Sequence, residues 1–341
     1  MSPRVNKKRM NMAENITDIA NNGLSSFSLT HIRSKNIAEH VVNIPGWSLH
    51  YNQFTQGKFD GQLTVLELEG VQLIRERTTQ ALLKEGQAVK NQLFTFPLYT
   101  PSDAFYCAGH HIHRESLLVA QSNSLPELRA PEAVDLLLIS VERACFPTIF
   151  DDFDERTLRA PRLFPLVNHD NLLRWRILSD SLEVNESNNS NPSLLTFAAV
   201  RQAIKDTILI YISEMIEPDS AIALTYNAKK RIVDRAREYM IAHCDSPPSI
   251  LDVCKYAGAS RRKLQYCFQE TLGINPISYL RVLRLNGAHH DLLEGAITVQ
   301  DTACRWGFWH LSRFANDYRQ LFGENPSTTL NRAGNNFAKS G

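Results

Sequence analysis

The first half of the chain alternates between apolar and polar residues over short segments, beginning near Trp47. Alternation with a period of two predicts strands that bury one face. Such segments, with Gly70 at the turn between the first two, lie at residues 63–68, 71–77, 91–98, 105–108, 116–120 and 134–141. Many short strands at this spacing predict an antiparallel sandwich or barrel. Residues 1–43 are polar and rich in Asn and Ser, and we expect them to form a loosely ordered arm.

Two helical segments follow the strands. Residues 169–183 carry apolar side chains at helical spacing, and residues 194–216 carry a longer apolar stripe. Glu217 and Pro218 end the second helix and begin a linker that we place at residues 218–229. The amino-terminal domain predicted from these patterns therefore covers residues 44–217.

A helical unit occurs twice between residues 250 and 330, at an offset of 50 residues. Each copy ends with the sequence Gly-x-Asn-Pro, at residues 273–276 and 323–326. A fixed offset over several positions marks a duplicated supersecondary unit. Each copy predicts a helix-turn-helix, with Gly258 and Gly307 at the turns, where an unhindered backbone is needed.

Capping residues locate the helices of each unit. Ser249 and Ser260 precede the two helices of the first copy, and Thr298 precedes the first helix of the second copy. Asn275 and Pro276 begin a connecting helix that ends near residue 293. It spans about 26 Å, which suits two recognition helices in successive major-groove segments about 34 Å apart. The residues expected on buried helix faces include Leu251, Cys254, Tyr256, Cys267, Cys304, Leu311, Phe314, Ala315, Tyr318 and Leu321.

This duplicated region resembles the carboxy-terminal DNA-binding domain of the AraC/XylS family of bacterial transcription regulators. The resemblance covers about residues 233–330 and includes Ser260, Arg261, Leu264, Phe268, Gly273, Asn275, Pro276, Tyr279, Leu280, Arg284, Leu285, Trp306, Gly307, Phe308, Phe314, Tyr318, Gly323 and Pro326. It implies a sequence-specific regulator, expected to be an activator of a catabolic operon, whose partners are double-stranded promoter DNA and RNA polymerase.

The outer faces of the two recognition helices carry the candidate DNA-binding residues. They are Arg261, Arg262, Gln265 and Tyr266 in the first unit and Ser312, Arg313, Asn316 and Arg319 in the second. We expect base contacts from Arg262, Gln265 and Arg313, because Arg and Gln pair bidentately with guanine and adenine edges. Lys263, Arg284 and Arg319 are expected to meet phosphates or solvent. Asn316 departs from the family, which often has a basic residue at this position.

The resemblance also bears on the first half of the chain. It implies a cupin-like domain that binds a small-molecule effector, and a homodimer formed through the pair of helices at residues 169–183 and 194–216. The alternative is that the longer helix packs only on its own sheet. Similarity to regulators of ethanolamine-utilisation operons lies in Trp47, Tyr51, Gln53, Gly61 and residues 57–59, 72–78 and 300–311. That similarity implies ethanolamine and adenosylcobalamin as effectors, without assigning residues to either.

Charge supports this division of the chain. The 341 residues carry a net charge of +1, but residues 229–341 carry +6 and the remainder −5. A basic domain joined to an acidic one is typical of a DNA-binding protein with an attached domain of another kind. The predicted fold is α+β, with the DNA-binding domain at residues 230–332 and a tail at 333–341. Six cysteines without metal spacing indicate the cytoplasm, and the longest apolar run, residues 136–141, is too short to cross a bilayer.

Two other functions remain as alternatives. His110, His111 and His113 form a cluster, and two of them would share a strand face, as in metal sites of cupin-type enzymes. Such a site needs a further His and a carboxylate on nearby strands, but Glu115 continues the same strand and no downstream strand offers a clear His, so a surface or loop cluster is the favoured interpretation. Trp47, Tyr51 and Phe54 either line a pocket or belong to the core. The chain has no nucleophile elbow, phosphate loop or dinucleotide motif, so we expect no enzyme. A DNA-bending protein without an effector is the remaining alternative.

Overall fold

The computed structural model describes residues 27–88, 92–101, 105–112, 116–121, 125–145, 161–166, 169–183, 192–296 and 298–340. Within these residues, the amino-terminal domain (residues 27–223) is built mainly of strands, and the elements of the carboxy-terminal domain (residues 228–340) are all helices. The predicted α+β fold class, antiparallel sheets followed by a helical domain with two helix-turn-helix units, is confirmed.

The strands, in chain order, are β1 (Ser28–Ser34), β2 (Trp47–Gln53), β3 (Gly61–Leu68), β4 (Val71–Thr78), β5 (Leu82–Ala88), β6 (Gln92–Tyr99), β7 (Phe105–Cys107), β8 (His110–Ile112), β9 (Ser116–Gln121), β10 (Leu128–Ala130), β11 (Val134–Val141), β12 (Arg162–Pro165) and β13 (Ile222–Ala223). The helices of the amino-terminal domain are α1 (Ile37–Val42), α2 (His169–Ser181) and α3 (Ala198–Glu214). Those of the carboxy-terminal domain are α4 (Ala228–Ala242), α5 (Ile250–Ala257), α6 (Arg261–Leu272), α7 (Pro276–Leu293), α8 (Val299–Arg305), α9 (Leu311–Phe322) and α10 (Pro326–Ser340).

The strands form two antiparallel sheets. The larger sheet has the order β1-β3-β4-β11-β6-β9-β12-β13, and the smaller has the order β2-β5-β10-β7-β8. β3 and β4 make a hairpin in which Leu68 pairs with Val71. Gly70 lies in this turn with φ of 74°, a left-handed conformation that favours glycine. The turn predicted at Gly70 is therefore present.

An apolar core fills the space between the two sheets. Leu63, Val65 and Ile74 of the larger sheet pack in one buried cluster with Phe105 and Leu128 of the smaller sheet. Alternate residues of β3 and β4 point the other way, into a second cluster. The amino-terminal domain is thus a sandwich with a further layer on one side.

That layer consists of α2 and α3, which cover the outer face of the larger sheet. Trp175 of α2 is fully buried, and its ring lies 5.5 Å from that of Phe96 on β6 and 5.5 Å from that of Tyr211 on α3. Strands buried on both faces need apolar residues at nearly every position. This explains why β6 and β11 are almost continuously apolar, whereas β3 and β4 also carry polar residues.

Residues 28–42 form a strand and a helix, where the sequence predicted a loosely ordered arm. β1 pairs with β3 along its whole length, and α1 places His40 in the interior, where its Nε2 lies 3.1 Å from a carboxylate oxygen of Glu76. Lys84 pairs with the other oxygen of Glu76. The polar composition that suggested a loose arm reflects an edge strand and buried polar pairs. Residues 1–26 of the predicted arm lie outside the described part of the chain.

Two other predicted segments also have regular structure. The predicted linker, residues 218–229, contains β13, which pairs with β12 and so belongs to the larger sheet. The predicted tail, residues 333–341, continues helix α10 as far as Ser340. Composition alone does not reveal such short elements, because their stability comes from the neighbouring structure.

Candidate nucleic-acid interface

Helices α5 and α6 form the first helix-turn-helix. The Ser249 side chain caps α5 by accepting a hydrogen bond from the Asp252 backbone N–H at 3.2 Å. The Ser260 side chain caps α6 by accepting a hydrogen bond from the Lys263 backbone N–H, also at 3.2 Å. Between them, Gly258 has φ of 66° and ends α5. The caps and the turn therefore lie where the sequence placed them, since each depends on residues only a few positions apart.

Helices α8 and α9 form the second unit on the same plan, with one difference at the start of the recognition helix. Thr298 caps α8 by accepting from the Asp301 N–H at 3.0 Å, and Gly307 makes the turn with φ of 69°. The N-cap of α9 is His310, whose side chain makes no capping hydrogen bond. Ser260 is the corresponding cap of α6, so the two copies diverge at this position.

The eight predicted DNA-binding residues are all exposed and lie on the outer faces of α6 and α9. On α6 these are Arg261, Arg262, Gln265 and Tyr266, and on α9 Ser312, Arg313, Asn316 and Arg319. Leu264 and Phe268 on α6, and Phe314 and Tyr318 on α9, are fully buried on the opposite faces. Each recognition helix is therefore anchored by one apolar face and leaves its polar face accessible.

The sequence did not indicate Lys229 as part of this surface. Its Nζ lies 5.0 Å from the centre of the Tyr266 ring, and Lys263 lies 5.6 Å from the same ring. A hydrogen bond to the Glu270 carboxylate raises the pKa of Lys229. No local motif links residue 229 to residue 266, because the contact joins α4 to α6.

Several residues assigned to buried faces lie in solvent instead. Leu251, Tyr256 and Leu311 are 65%, 45% and 45% exposed, and Cys304 is exposed as well. The predicted inner stripe of α9 is otherwise correct, with Phe314, Tyr318 and Leu321 buried and Ala315 partly so. Helical spacing identifies a face, but residues at the edge of that face and at a helix start can extend beyond the neighbouring helix.

Arg284 is half-buried and bonded within the domain, so it is not a solvated charge, and its contact with a phosphate stays a prediction. Its Nε donates to the backbone oxygen of Trp306 at 2.6 Å, and its guanidinium lies 4.1 Å from the centre of the Phe308 ring. Burial lowers the pKa of Arg284 to about 10. Arg284 therefore ties α7 to the turn of the second unit.

Helix α7 is shared by both helix-turn-helix units. Its 18 residues span about 27 Å. Near its start, the Tyr279 ring packs 5.4 Å from that of Phe268 in the first unit. Near its end, the His289 ring stacks 4.2 Å from that of Phe322 in the second unit. Burial lowers the pKa of His289 to about 4, so the imidazole is neutral at physiological pH.

The amino-terminal domain contacts the carboxyl ends of both recognition helices. Arg129 on β10 donates to the backbone oxygen of Leu272, the last residue of α6. Near the end of α9, the Leu321 backbone oxygen accepts hydrogen bonds from the Gly57 N–H, at 3.1 Å, and from the Gln53 side chain. The last carbonyl groups of a helix have no partner within the helix. The amino-terminal domain supplies these partners for both units.

Helix α7 is bound to the same domain through Asn286. Its Oδ1 accepts from the Gln53 N–H at 2.8 Å, and its Nδ2 donates to the Gln53 backbone oxygen at 2.9 Å. Gln53 ends β2, an edge strand of the smaller sheet. A side-chain amide thus satisfies the backbone groups that an edge strand otherwise leaves unpaired. Both residues are buried, with exposures of 7% and 1%.

An ionic network adds a third contact between the domains. Arg237 on α4 pairs with Glu85 at 2.8 Å and with Glu127, and Lys230 lies 3.5 Å from Glu127. Glu127 is 8% exposed, and removing one partner of a buried ion pair is costly because the other is left uncompensated. These charges therefore favour one relative orientation of the two domains.

The described candidate metal ligands and the candidate pocket residues of the amino-terminal domain make contacts with neighbouring residues. His110 Nε2 lies 2.8 Å from the Thr225 backbone oxygen, and the His111 ring lies 5.1 Å from that of Tyr106. The other members of that cluster, His113 and Glu115, lie outside the described residues. Tyr51 is buried in a small cluster with Ile37 and Leu82, and Phe54 is buried against helices of the carboxy-terminal domain. Trp47 is partly buried against the core between the sheets and also lines a surface cavity.

Another group of possible metal ligands lies on the carboxy-terminal domain. Among the described residues, His290, Asp291 and Glu294 could together hold an ion. Asp291 already accepts a hydrogen bond from Trp306 and pairs with Arg305. Within the described part of the chain, no helix combines the length and apolar character needed to cross a membrane.

Comparison with known proteins defines the class of this domain. A family profile described as "Helix-turn-helix domain" matches residues 253–332. The carboxy-terminal domain, with two such units and exposed recognition helices, is therefore a helix-turn-helix DNA-binding domain.

Individual relatives define the family more closely. A probable thc operon regulatory protein of Rhodococcus erythropolis is 40% identical over 102 residues, which are 29% of this chain and 31% of that protein. The XylDLEGF operon transcriptional activator of Pseudomonas putida is 35% identical over 85 residues, 24% of this chain and 26% of the activator. One solved structure, a probable AraC family transcriptional regulator from Rhodopseudomonas palustris, is 38% identical to this chain. The match includes 30% of this chain and 96% of that structure, with a TM-score of 0.28. This part of the chain belongs to the AraC family. The matched region spans less than a third of the length of the thc operon regulatory protein and of the XylDLEGF operon activator.

Proposed function

We propose that the whole chain is a sequence-specific transcription regulator that activates an operon in response to a small molecule. The observation that carries the proposal is the pair of exposed recognition helices whose inner faces are anchored to one shared helix, α7. The named relatives are operon regulators and activators, which supports the same function. Enzymatic activity forms no part of this proposal.

Arg262, Gln265 and Arg313 are the proposed base-contacting residues. All three are exposed, and their side chains suit guanine or adenine edges in the major groove. The test is selection of binding sites from random duplexes with the full chain, followed by titration at several salt concentrations. We expect a defined site bound at least a thousandfold more tightly than random DNA. Equal affinity for selected and random duplexes would contradict the proposal.

Effector response is proposed to act through the interface between the domains. A ligand that binds the amino-terminal domain more tightly in one arrangement would shift the equilibrium of the recognition helices. Support comes from the buried contacts of Gln53 and Arg129 with the carboxy-terminal domain. The ethanolamine-type hypothesis is tested by thermal shift of the full chain with ethanolamine, with adenosylcobalamin and with unrelated amines. A rise in melting temperature with the unrelated amines alone would exclude that effector class.

A homodimer is proposed to form through the outer surface of α2 and α3. Leu173 and Ile177 on α2 are 56% and 62% exposed, and Ile210 on α3 is 54% exposed. Exposed apolar groups clustered on two adjacent helices are typical of an interaction surface. Sedimentation of the wild type and of Ile177→Asp tests this, with Val42→Asp as a control on α1, where Val42 is 78% exposed. A wild-type monomer at micromolar concentration would rule out the dimer.

A further inference from the structure

The two copies of the helix-turn-helix differ most at the start of their recognition helices. Around the start of α6 the chain has Ala259, Ser260 and then three cationic residues, 261–263. The positions 50 residues later are His310 and residues 311–313, which are Leu, Ser and Arg. The turn before them is one residue longer in the second copy, with Phe308 and Trp309 where the first has Ala259. Three positive charges in the first unit are thus replaced by one in the second, and an indole and an isobutyl group are added.

The two apolar side chains are exposed. Trp309 is 72% exposed and Leu311 is 45% exposed. A tryptophan and a leucine exposed two positions apart leave apolar surface in water at the start of the helix, and such surface suits an interaction site. Both residues are far from the contact with the amino-terminal domain, which holds the opposite end of α9 at Leu321.

The position of Leu311 on the helix identifies its neighbours. At 3.6 residues per turn, or about 100° per residue, the outer strip of α9 runs through Ser312, Asn316 and Arg319. Leu311 lies about 100° from Ser312, on the side of the buried Phe314 and Tyr318, and it is exposed because it is the first residue of the helix. Ser312, Asn316 and Arg319 are exposed as well. The amino-terminal residues of a recognition helix are those that contact base edges in the major groove. Trp309 and Leu311 therefore lie at the end of α9 that a recognition helix presents to the bases, next in sequence to Ser312 and Arg313.

The occupant follows from the chemistry of the major groove, where the apolar group on a base edge is the C5-methyl of thymine. We propose that Trp309 and Leu311 contact thymine methyl groups, so that the second unit recognises thymine by apolar contact. The first unit uses guanidinium and amide groups instead. This assignment rests on the proposed DNA-binding function, and it gives the two copies different base preferences.

Replacement of thymine by uracil removes this methyl group and leaves the base pairing intact. The full chain is titrated against its selected duplex by fluorescence anisotropy, with each thymine replaced in turn by uracil. We expect at least one replacement to weaken wild-type binding about fourfold, the effect of one lost methyl contact. Trp309→Ala and Leu311→Ala each weaken binding to the thymine duplex, and one or both lose the uracil effect. Non-additivity of this kind identifies a direct contact.

Ile241→Ala is the matched control, since Ile241 is a 51% exposed aliphatic residue on α4, and it keeps the full uracil effect. Thermal unfolding verifies that each variant is folded. Variants that retain the wild-type uracil effect overturn the inference. Unchanged DNA affinity together with lost activation by RNA polymerase in vitro also overturns it, and assigns the surface to a protein partner. Absence of any site preference in the wild type would refute the DNA-binding function itself, whereas a site without uracil sensitivity refutes only the thymine contact.

Discussion

The contact between Asn286 and Gln53 allows a quantitative test of how firmly the two domains are joined. Asn286→Ala removes the acceptor for the Gln53 N–H and the donor to the Gln53 oxygen, which lie at 2.8 and 2.9 Å. Each buried backbone group left without a partner costs about 1–3 kcal/mol. Because water can enter the vacated space, we expect a total loss of about 2–3 kcal/mol in the free energy of domain docking.

Hydrogen exchange measured by mass spectrometry reports this loss directly. At about 1.4 kcal/mol per tenfold change, amide exchange at residues 50–58 should accelerate about 30- to 150-fold. This segment contains the Gln53 and Gly57 N–H groups, which donate to Asn286 and to the end of α9. Exchange in the β4–β11 ladder should stay unchanged, because that ladder lies within the larger sheet.

Asn316→Ala is the matched control, since Asn316 is an exposed asparagine on α9 outside the interface. It should leave exchange at residues 50–58 at the wild-type rate. If Asn286→Ala is folded and its exchange at residues 50–58 equals that of the wild type, Asn286 does not hold the domains together. The proposed route of effector response would then need another basis.

Three further results are expected. Arg262→Ala should weaken DNA binding and relax the site preference, while Lys263→Ala should mainly reduce the slope of log affinity against log salt by about one; equal losses on selected and random DNA for Arg262→Ala would contradict a base contact. Gly287→Ala should destabilise the protein by about 1–3 kcal/mol in urea unfolding, because the added Cβ would lie 2.1 Å from the Trp306 ring. Burial lowers the pKa of His289 to about 4 from 6.5, so the unfolded chain binds the proton first as pH falls, and stability should drop by about 2 kcal/mol between pH 7.5 and 5; a His289→Gln variant with the same pH dependence would refute this.

Local chemistry explains which parts of the fold could be predicted from the sequence. The caps at Ser249, Ser260 and Thr298 and the turns at Gly258 and Gly307 each depend on residues within one or two helical turns, and all of them lie where they were expected. Alternation likewise predicted β3 and β4 closely, and a short apolar run predicted β11, because each has the length and flanking residues typical of a strand.

Contacts between distant residues explain what could not be predicted. β1 looks unstructured in isolation and becomes a strand only by pairing with β3. Leu311 satisfied the helical period, but no neighbouring element covers it. The pairing of Gln53 with Asn286 joins residues 233 positions apart, and neither side chain carries a signal of it. The DNA-contacting roles of the exposed residues stay predictions, since exposure makes contact with DNA possible without specifying it.

The recognition helices are held at one end and exposed at the other. In α6, 12 residues long, about 18 Å separates the Arg261 end from the carbonyl bound by Arg129. If the proposed function holds, promoter choice and allosteric control use separate parts of the same helix. Substitutions in the first two turns would then change the operator preference, and the proposed inducer response would be retained because its contacts lie at the far end.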